Sequence, residues 1–205
     1  MPSSPRPFRV LFVCTGNICR SPMGQAMLTS RLRTSLGAGA DGLVEVTSAG
    51  TYGLVGHPIE PDALSVLDEL GVVPDEFAAR ELAKELLEES DLVLTATREH
   101  RAAAVSMLPR ASRRTFTIRE FARLVSSVDV LPEDVAAGDA AGRGAALVDA
   151  AAAQRGYVRP ASPADDDVAD PYRRPVEAFR AAAGQIDEAT SLIAEKLALA
   201  LSPPV

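Results

Sequence analysis

Cysteine occurs twice in the 205 residues, at Cys14 and Cys19, and both fall in the stretch VCTGNICRSP (13–22). Gly16 and Asn17 are residue types that tolerate a left-handed backbone, so this turn can curl and direct successive N–H groups inward. Such a nest binds anions, and a helix beginning near Pro22 adds its positive end. Arg20 supplies a planar fork matched to two phosphate oxygens. The same dipoles drive a sulfur at the centre of the ring toward thiolate. The run Thr15, Gly16, Asn17, Ile18, Cys19 and Arg20 therefore reads as a phosphate-binding loop with Cys14 as its nucleophile. A zinc site needs four ligands at characteristic spacings, and beyond the two cysteines only His57 and His100 are available, so no metal is expected. A nucleotide-type phosphate loop would end in Gly-Lys-Ser/Thr, which is absent.

Such a loop needs a strand before it and a helix after it. FRVLFVC (8–14) reads as a buried strand, and Met23 to Leu36 has helical spacing. Further strands are expected at Val44 to Ser48, DLVLTAT (91–97) and RTFTI (114–118). Helices are expected at Asp62 to Leu70, Glu81 to Glu89, Arg98 to Met107 and Val176 to Ala200. Alternation of this kind predicts an α/β protein: a three-layer α/β/α sandwich with a central four-stranded parallel sheet, flavodoxin-like. In such sheets ligands sit at the carboxyl ends of the strands, where Cys14 falls. One domain is expected over 8–200, with residues 1–7 as a flexible tail. Between 127 and 163 the pattern weakens into Ala, Gly, Asp and Pro, a surface insertion in which Ala140 to Gln154 has helical character.

Composition narrows the partners. A net charge of −7 argues against nucleic acid. No apolar run is long enough to span a bilayer, and the start MPSSPRPF lacks the apolar core of a signal peptide, so a cytoplasmic location is expected without membrane insertion. Residues 1–40 carry Arg6, Arg9, Arg20, Arg31 and Arg33 and no acid, a positive end suited to an anionic substrate.

CTGNICRSP, followed by TSAGT (47–51), G-x-P-x-x-P-D (56–62), SDLVLTATREH (90–100) and DPY (170–172), resembles the low-molecular-weight protein tyrosine phosphatases. The resemblance runs from about Arg9 to Leu124 and resumes from Asp165 to Leu197. It implies cleavage of phosphotyrosine through a phosphocysteine on Cys14, without a cofactor. Arg20 would stabilise the transferring phosphoryl group, and Asp170, extended before Pro171, would be the general acid. Asp165, Asp166 and Asp167 are rivals lacking the following proline, and read as a solvated acidic run. Ser21 would donate to the sulfur, while Asn17 and Ser48 would lock the loop. Ile18, Tyr52, Leu54 and Tyr172 are the expected pocket walls, and Cys19 is either packing or a resolving thiol for oxidised Cys14. The implied partner is a phosphotyrosine-bearing protein, a bacterial tyrosine kinase among them.

Three departures stand out. Phe77 occupies the place of a histidine that usually supports the loop, Arg173 stands where a second aromatic is common, and Leu54 replaces another. In relatives that prefer phosphoarginine the Ile18 position is a threonine, so Ile18 favours an aryl ester. His57 and His100 read as ordinary loop or helix residues. Alternatives to the phosphotyrosine reading are a phosphoarginine phosphatase, a thiol-dependent arsenate reductase, and a non-catalytic phosphoprotein-binding module. The reductase would need further cysteines after Cys19, and the binding module would not need Cys14, Arg20 and an acid together.

Overall fold

The computed structural model describes residues 6–128 and 139–202. Four strands form one parallel sheet: β1 (Phe8–Cys14), β2 (Val44–Gly50), β3 (Leu92–Thr95) and β4 (Thr115–Thr117), in the order β2-β1-β3-β4. The order reverses between β1 and β3, which opens a crevice at their carboxyl ends. β1 is central, paired from Phe8↔Val44 to Cys14↔Gly50 on one side and from Val10↔Leu92 to Val13↔Thr95 on the other. Side chains of a strand alternate between faces, and β1 is apolar on both. Phe8, Val10 and Phe12 enter one core, whereas Leu11 and Val13 enter the other. Each fully buried side chain of this size contributes about 1.5–3 kcal/mol.

The larger core is covered by α1 (Arg20–Leu36), with a short α2 (Ala40–Leu43) after it, and by α3 (Pro61–Glu69) and α6 (Ile118–Val125). It is completed by α7 (Ala140–Ala153) and the long α8 (Val176–Leu201). The smaller core takes Leu87 from α4 (Lys84–Glu89) and Ala104 from α5 (Arg98–Met107). The expected three layers are therefore present.

Several boundaries differ from the sequence reading. The helix expected from Glu81 begins only at Lys84, because Glu81 bridges Gly50 and Leu82 N–H donates to Gly50 O at 2.7 Å, holding the segment extended along β2. The fourth strand ends at Thr117, which caps α6: its hydroxyl accepts from Glu120 N–H while the Glu120 carboxylate accepts from Thr117 N–H. That Thr-x-x-Glu pattern is a capping box readable in sequence, and α6 was not expected.

The stretch 127–163 is not simply a surface insertion. Its residues 129–138 lie outside the described residues, but α7 is part of the core. Leu147, Val148 and Ala151 are buried, and a Cβ on Gly144 would meet the Phe8 ring at 2.3 Å. Arg143 runs across to α8, donating to Ala200 O and Leu201 O. Residues 1–5 of the expected tail also lie outside the described residues, whereas Arg6 is fixed by a bidentate pair with Asp91 at 2.6 and 2.7 Å. Among the described residues no helix is long and apolar enough to cross a membrane.

Candidate active site

β1 ends at Cys14 and α1 begins at Arg20, so the intervening loop is confined to the mouth of the crevice. Most of its carbonyls are engaged by neighbouring segments. Those of Cys14, Thr15 and Gly16 accept from the N–H groups of Thr51, Tyr52 and Leu54, and that of Ile18 accepts from Glu60, at 2.9–3.0 Å. With these carbonyls so engaged, the N–H groups of residues 15–19 have no backbone acceptor among the described residues and are available to an anion. Asn17 takes the left-handed turn (φ 56°), whereas Gly16, the other candidate, does not have a positive φ. The glycine that the loop does require is Gly50: a Cβ there would lie 2.3 Å from Thr15 O.

Asn17 is buried and locks the curl. Its Nδ2 donates to Ser21 Oγ at 2.9 Å and to Ser48 Oγ at 2.8 Å, and its Oδ1 accepts from Arg80 N–H at 2.9 Å. Ser48 donates onward to Gln25 Oε1 at 2.7 Å. Ser21 Oγ, accepting from Asn17, lies 2.9 Å from Cys14 Sγ and 3.5 Å from Ala49 O, so its proton can go to either. The support sought at Phe77 is supplied by the Arg80 backbone and by Gln25, while Phe77 packs half-buried against the core. Neither Arg80 nor Gln25 stood out in the sequence.

Arg20 is almost fully buried. Nη1 donates to Val168 O at 3.0 Å, Nη2 pairs with Asp170 Oδ2 at 3.0 Å, and Nε has no partner among the described residues. A buried guanidinium N–H without an acceptor is costly, and an oxyanion in the loop would satisfy it. Asp170 also accepts from Tyr172 N–H at 3.2 Å, the turn expected of an Asp-Pro segment. Its rivals are engaged elsewhere: Asp165 is exposed, as expected of a solvated run, but Asp166 is buried and Asp167 partly so. Asp165 caps the Ser162 turn, Asp166 pairs with Arg123 at 2.7 Å, and Asp167 pairs with Arg98 at 2.9 Å. Burial raises the Asp167 pKa, but hydrogen bonds from Arg98 outweigh it and hold the group below its ordinary value.

Above the loop lies a cavity of about 380 Å³. Cys14, Thr15, Gly16, Ile18, Cys19 and Arg20 line its floor, and Tyr52, Leu54, Asp170, Tyr172 and Arg173 its walls. Every pocket residue named from sequence is present. Arg173, itself left-handed at φ 59°, lays its guanidinium 5.2 Å from the Tyr172 ring centre. Both cysteines are free thiols, and burial first, then the neighbouring Cys14, push the Cys19 pKa up to about 12. Among the described residues no three of His, Cys, Asp and Glu converge as a metal site requires.

Two expectations need correction. The basic N-terminal stretch does not face the cavity as a whole: Arg6, Arg9, Arg31 and Arg33 are paired with Asp91, Glu45, Asp187 and Asp41, leaving Arg20 at the site. His100 is not an ordinary helix residue either. It is buried, with Nε2 2.8 Å from Thr15 Oγ1 and Nδ1 2.7 Å from Thr97 Oγ1, whereas His57 is exposed on its loop as expected.

A family model described as low molecular weight phosphotyrosine protein phosphatase matches residues 9–141. A protein-arginine-phosphatase of Geobacillus stearothermophilus is 31% identical over 193 residues, 93% of this chain and 97% of that one. Its structure superposes with a TM-score of 0.64, covering 93% of each chain. The low molecular weight protein-tyrosine-phosphatase Etp of Escherichia coli is 39% identical over 106 residues, 52% of this chain and 66% of Etp. Vibrio vulnificus Wzb, solved with benzylphosphonate, is 25% identical with a TM-score of 0.63 over 92% of this chain and 98% of Wzb.

Proposed function

Because the chain belongs to the low molecular weight phosphotyrosine protein phosphatase family, we propose that it hydrolyses phosphotyrosine in proteins through a phosphocysteine on Cys14. The observation that carries this reading is the convergence at one cavity of Cys14, the loop of residues 15–19, Asp170 and Arg20, whose Nε has no partner among the described residues. Cys14 attacks phosphorus in line, with Ser21 Oγ within hydrogen-bond distance of its sulfur. The loop N–H groups and Arg20 hold the three equatorial oxygens as charge redistributes. A bound dianion competes for Arg20; Asp170, released from that pair, takes up a proton from solvent and delivers it to the departing phenolic oxygen, a step worth about 10²–10⁴-fold. The same carboxylate then takes a proton from the water that cleaves the S–P bond. Cys19, in the same cavity, is the resolving thiol: an oxidised Cys14 sulfenic acid condenses with it, forming a disulfide and water. Peroxide treatment then gives a protein two hydrogens lighter than the dithiol.

The walls favour an aryl ester over phosphoarginine. Ile18 offers a guanidinium only apolar contact, and the cation of Arg173 over Tyr172 repels one. The substrate is accordingly a phosphotyrosine-bearing protein of the cytoplasm, a tyrosine kinase being one such partner. Peptides carrying phosphotyrosine, phosphoarginine and phosphoserine decide the matter. Wild-type kcat/KM is expected to be highest on phosphotyrosine, and Cys14→Ser is expected to abolish turnover while still binding phosphate. Preference for phosphoarginine would assign the arginine-phosphatase activity instead, and appreciable turnover by Cys14→Ser would reject the nucleophile.

A further inference from the structure

Thr15 belongs to two environments at once. It lines the cavity floor, yet its hydroxyl is 2.8 Å from Nε2 of the buried His100. His100 lies in the first turn of α5, whose N-cap is Thr97, and Thr97 Oγ1 accepts from His100 N–H at 3.3 Å. In one tautomer the Thr97 hydroxyl, which already accepts from that N–H, donates its own proton to Nδ1, 2.7 Å away. Nε2 then carries the ring proton and donates it to Thr15 Oγ1. The Thr15 hydroxyl hydrogen, excluded from the histidine side, is then free for a ligand in the cavity that Thr15 lines.

The opposite tautomer reverses this. Thr15 would donate to Nε2 and present oxygen lone pairs to a bound anion, which is repulsive. An anionic ligand in the loop therefore favours the tautomer in which Thr97 donates to Nδ1. The ring is neutral at pH 7: burial, and next the charge of Arg20, push its pKa down to about 4 against the opposing effects of Asp170 and Asp167.

We propose that His100 is a positioning residue for phosphoryl transfer, its Nε2–H orienting the Thr15 hydroxyl as a further hydrogen-bond donor to the substrate phosphate. The proposal rests on the phosphatase reading above.

A double-variant cycle tests it, with two readouts: kcat/KM on an aryl phosphate and competitive inhibition by inorganic phosphate. His100→Phe and Thr15→Val are each expected to weaken both by about tenfold, the loss of one hydrogen bond to a charged group. The double variant is expected to lose about tenfold in total rather than the product of the two. His100→Gln, which places an amide N–H near the Nε2 position, is expected to recover most of the loss. Wild-type behaviour of His100→Phe or Thr15→Val, or losses that multiply in the double variant, would overturn the assignment. If His100→Phe does not fold, ring ¹⁵N shifts of the wild-type protein decide: a proton on Nε2 supports the assignment and one on Nδ1 refutes it. Should the wild-type protein turn over no aryl phosphate, the phosphatase reading fails, while phosphate affinity and ring protonation still decide what His100 does.

Discussion

Asn17 makes three hydrogen bonds with one carboxamide, to Ser21, Ser48 and the Arg80 backbone, and so joins α1, β2 and the segment before α4. His100 joins α5 to the same loop from the opposite side. Its depressed pKa has a measurable consequence for stability. The unfolded chain binds a proton at His100 below about pH 6.5, whereas the folded chain resists it down to about 4. Within that window the unfolded state holds more protons, so the contribution is fully present above 6.5 and is lost as pH falls. By pH 5.2, still above the sequence pI of 4.9, the loss should reach about 1.5 kcal/mol. Asp75 and Asp167, with lowered pKa values, lose their contributions only at lower pH. Urea denaturation of the wild type and His100→Gln at pH 7.5 and 5.2 separates the cases. The wild type is expected to weaken more on acidification, and parallel losses would show that the ring titrates normally when folded. Cys14, Arg20 and Asn17 were legible because local spacing specifies their chemistry. His100 was not, because its role depends on the end of β3 lying beside the end of β1, a contact across 85 residues of sequence.

At the scale of elements, β1 was the most legible because both its faces are apolar, and α8 because its apolar stripe is long. α7 was the least legible. Its sequence, AAGRGAALVDAAAA, has little contrast between faces, and its burial depends on Gly144 admitting the Phe8 ring. A pattern of alanines and glycines does not reveal which face meets a neighbour. Here the small residues are the means of close approach between α7 and β1. Leu147 is 2% exposed, so Leu147→Ala is expected to cost about 2–4 kcal/mol, as for other core leucines. A shift in the urea midpoint with an unchanged slope would show this. A cost under about 0.5 kcal/mol, typical of a surface position, would return α7 to the status of a surface insertion. The extended stretch at Glu81 failed for a related reason: its helical pattern was overridden by pairing with Gly50, which only the assembled sheet provides.

The whole molecule brings Asp170 to Cys14 from the far end of the chain, and the sequence named both ends without revealing the tether. Val168 N–H donates to Ala96 O at 2.8 Å, just past the end of β3, and Val168 O accepts from Arg20 at 3.0 Å. Beside these, Arg98 grips Asp167 through its backbone N–H at 2.7 Å and its guanidinium at 2.9 Å. The segment preceding the proposed acid is therefore fixed to the same strand end that carries His100, so the crevice between β1 and β3 organises both sides of the reaction. The Arg98 guanidinium is half exposed, and an exposed ion pair contributes only about 0–1 kcal/mol to stability. Its effect on the acid should be larger than its effect on the fold. Arg98→Ala is expected to leave the melting temperature within a few degrees of wild type. It should lower kcat severalfold on aryl phosphates with poor leaving groups and little on activated ones, since only the former need a well-placed proton donor. A leaving-group series measured on both proteins checks this. An unchanged dependence would mean that the Val168 hydrogen bonds, with the Arg98 backbone N–H to Asp167 and the Arg123–Asp166 pair, suffice to hold the loop. An equal loss across the series would mean that Arg98 acts on phosphate binding rather than on placement of Asp170.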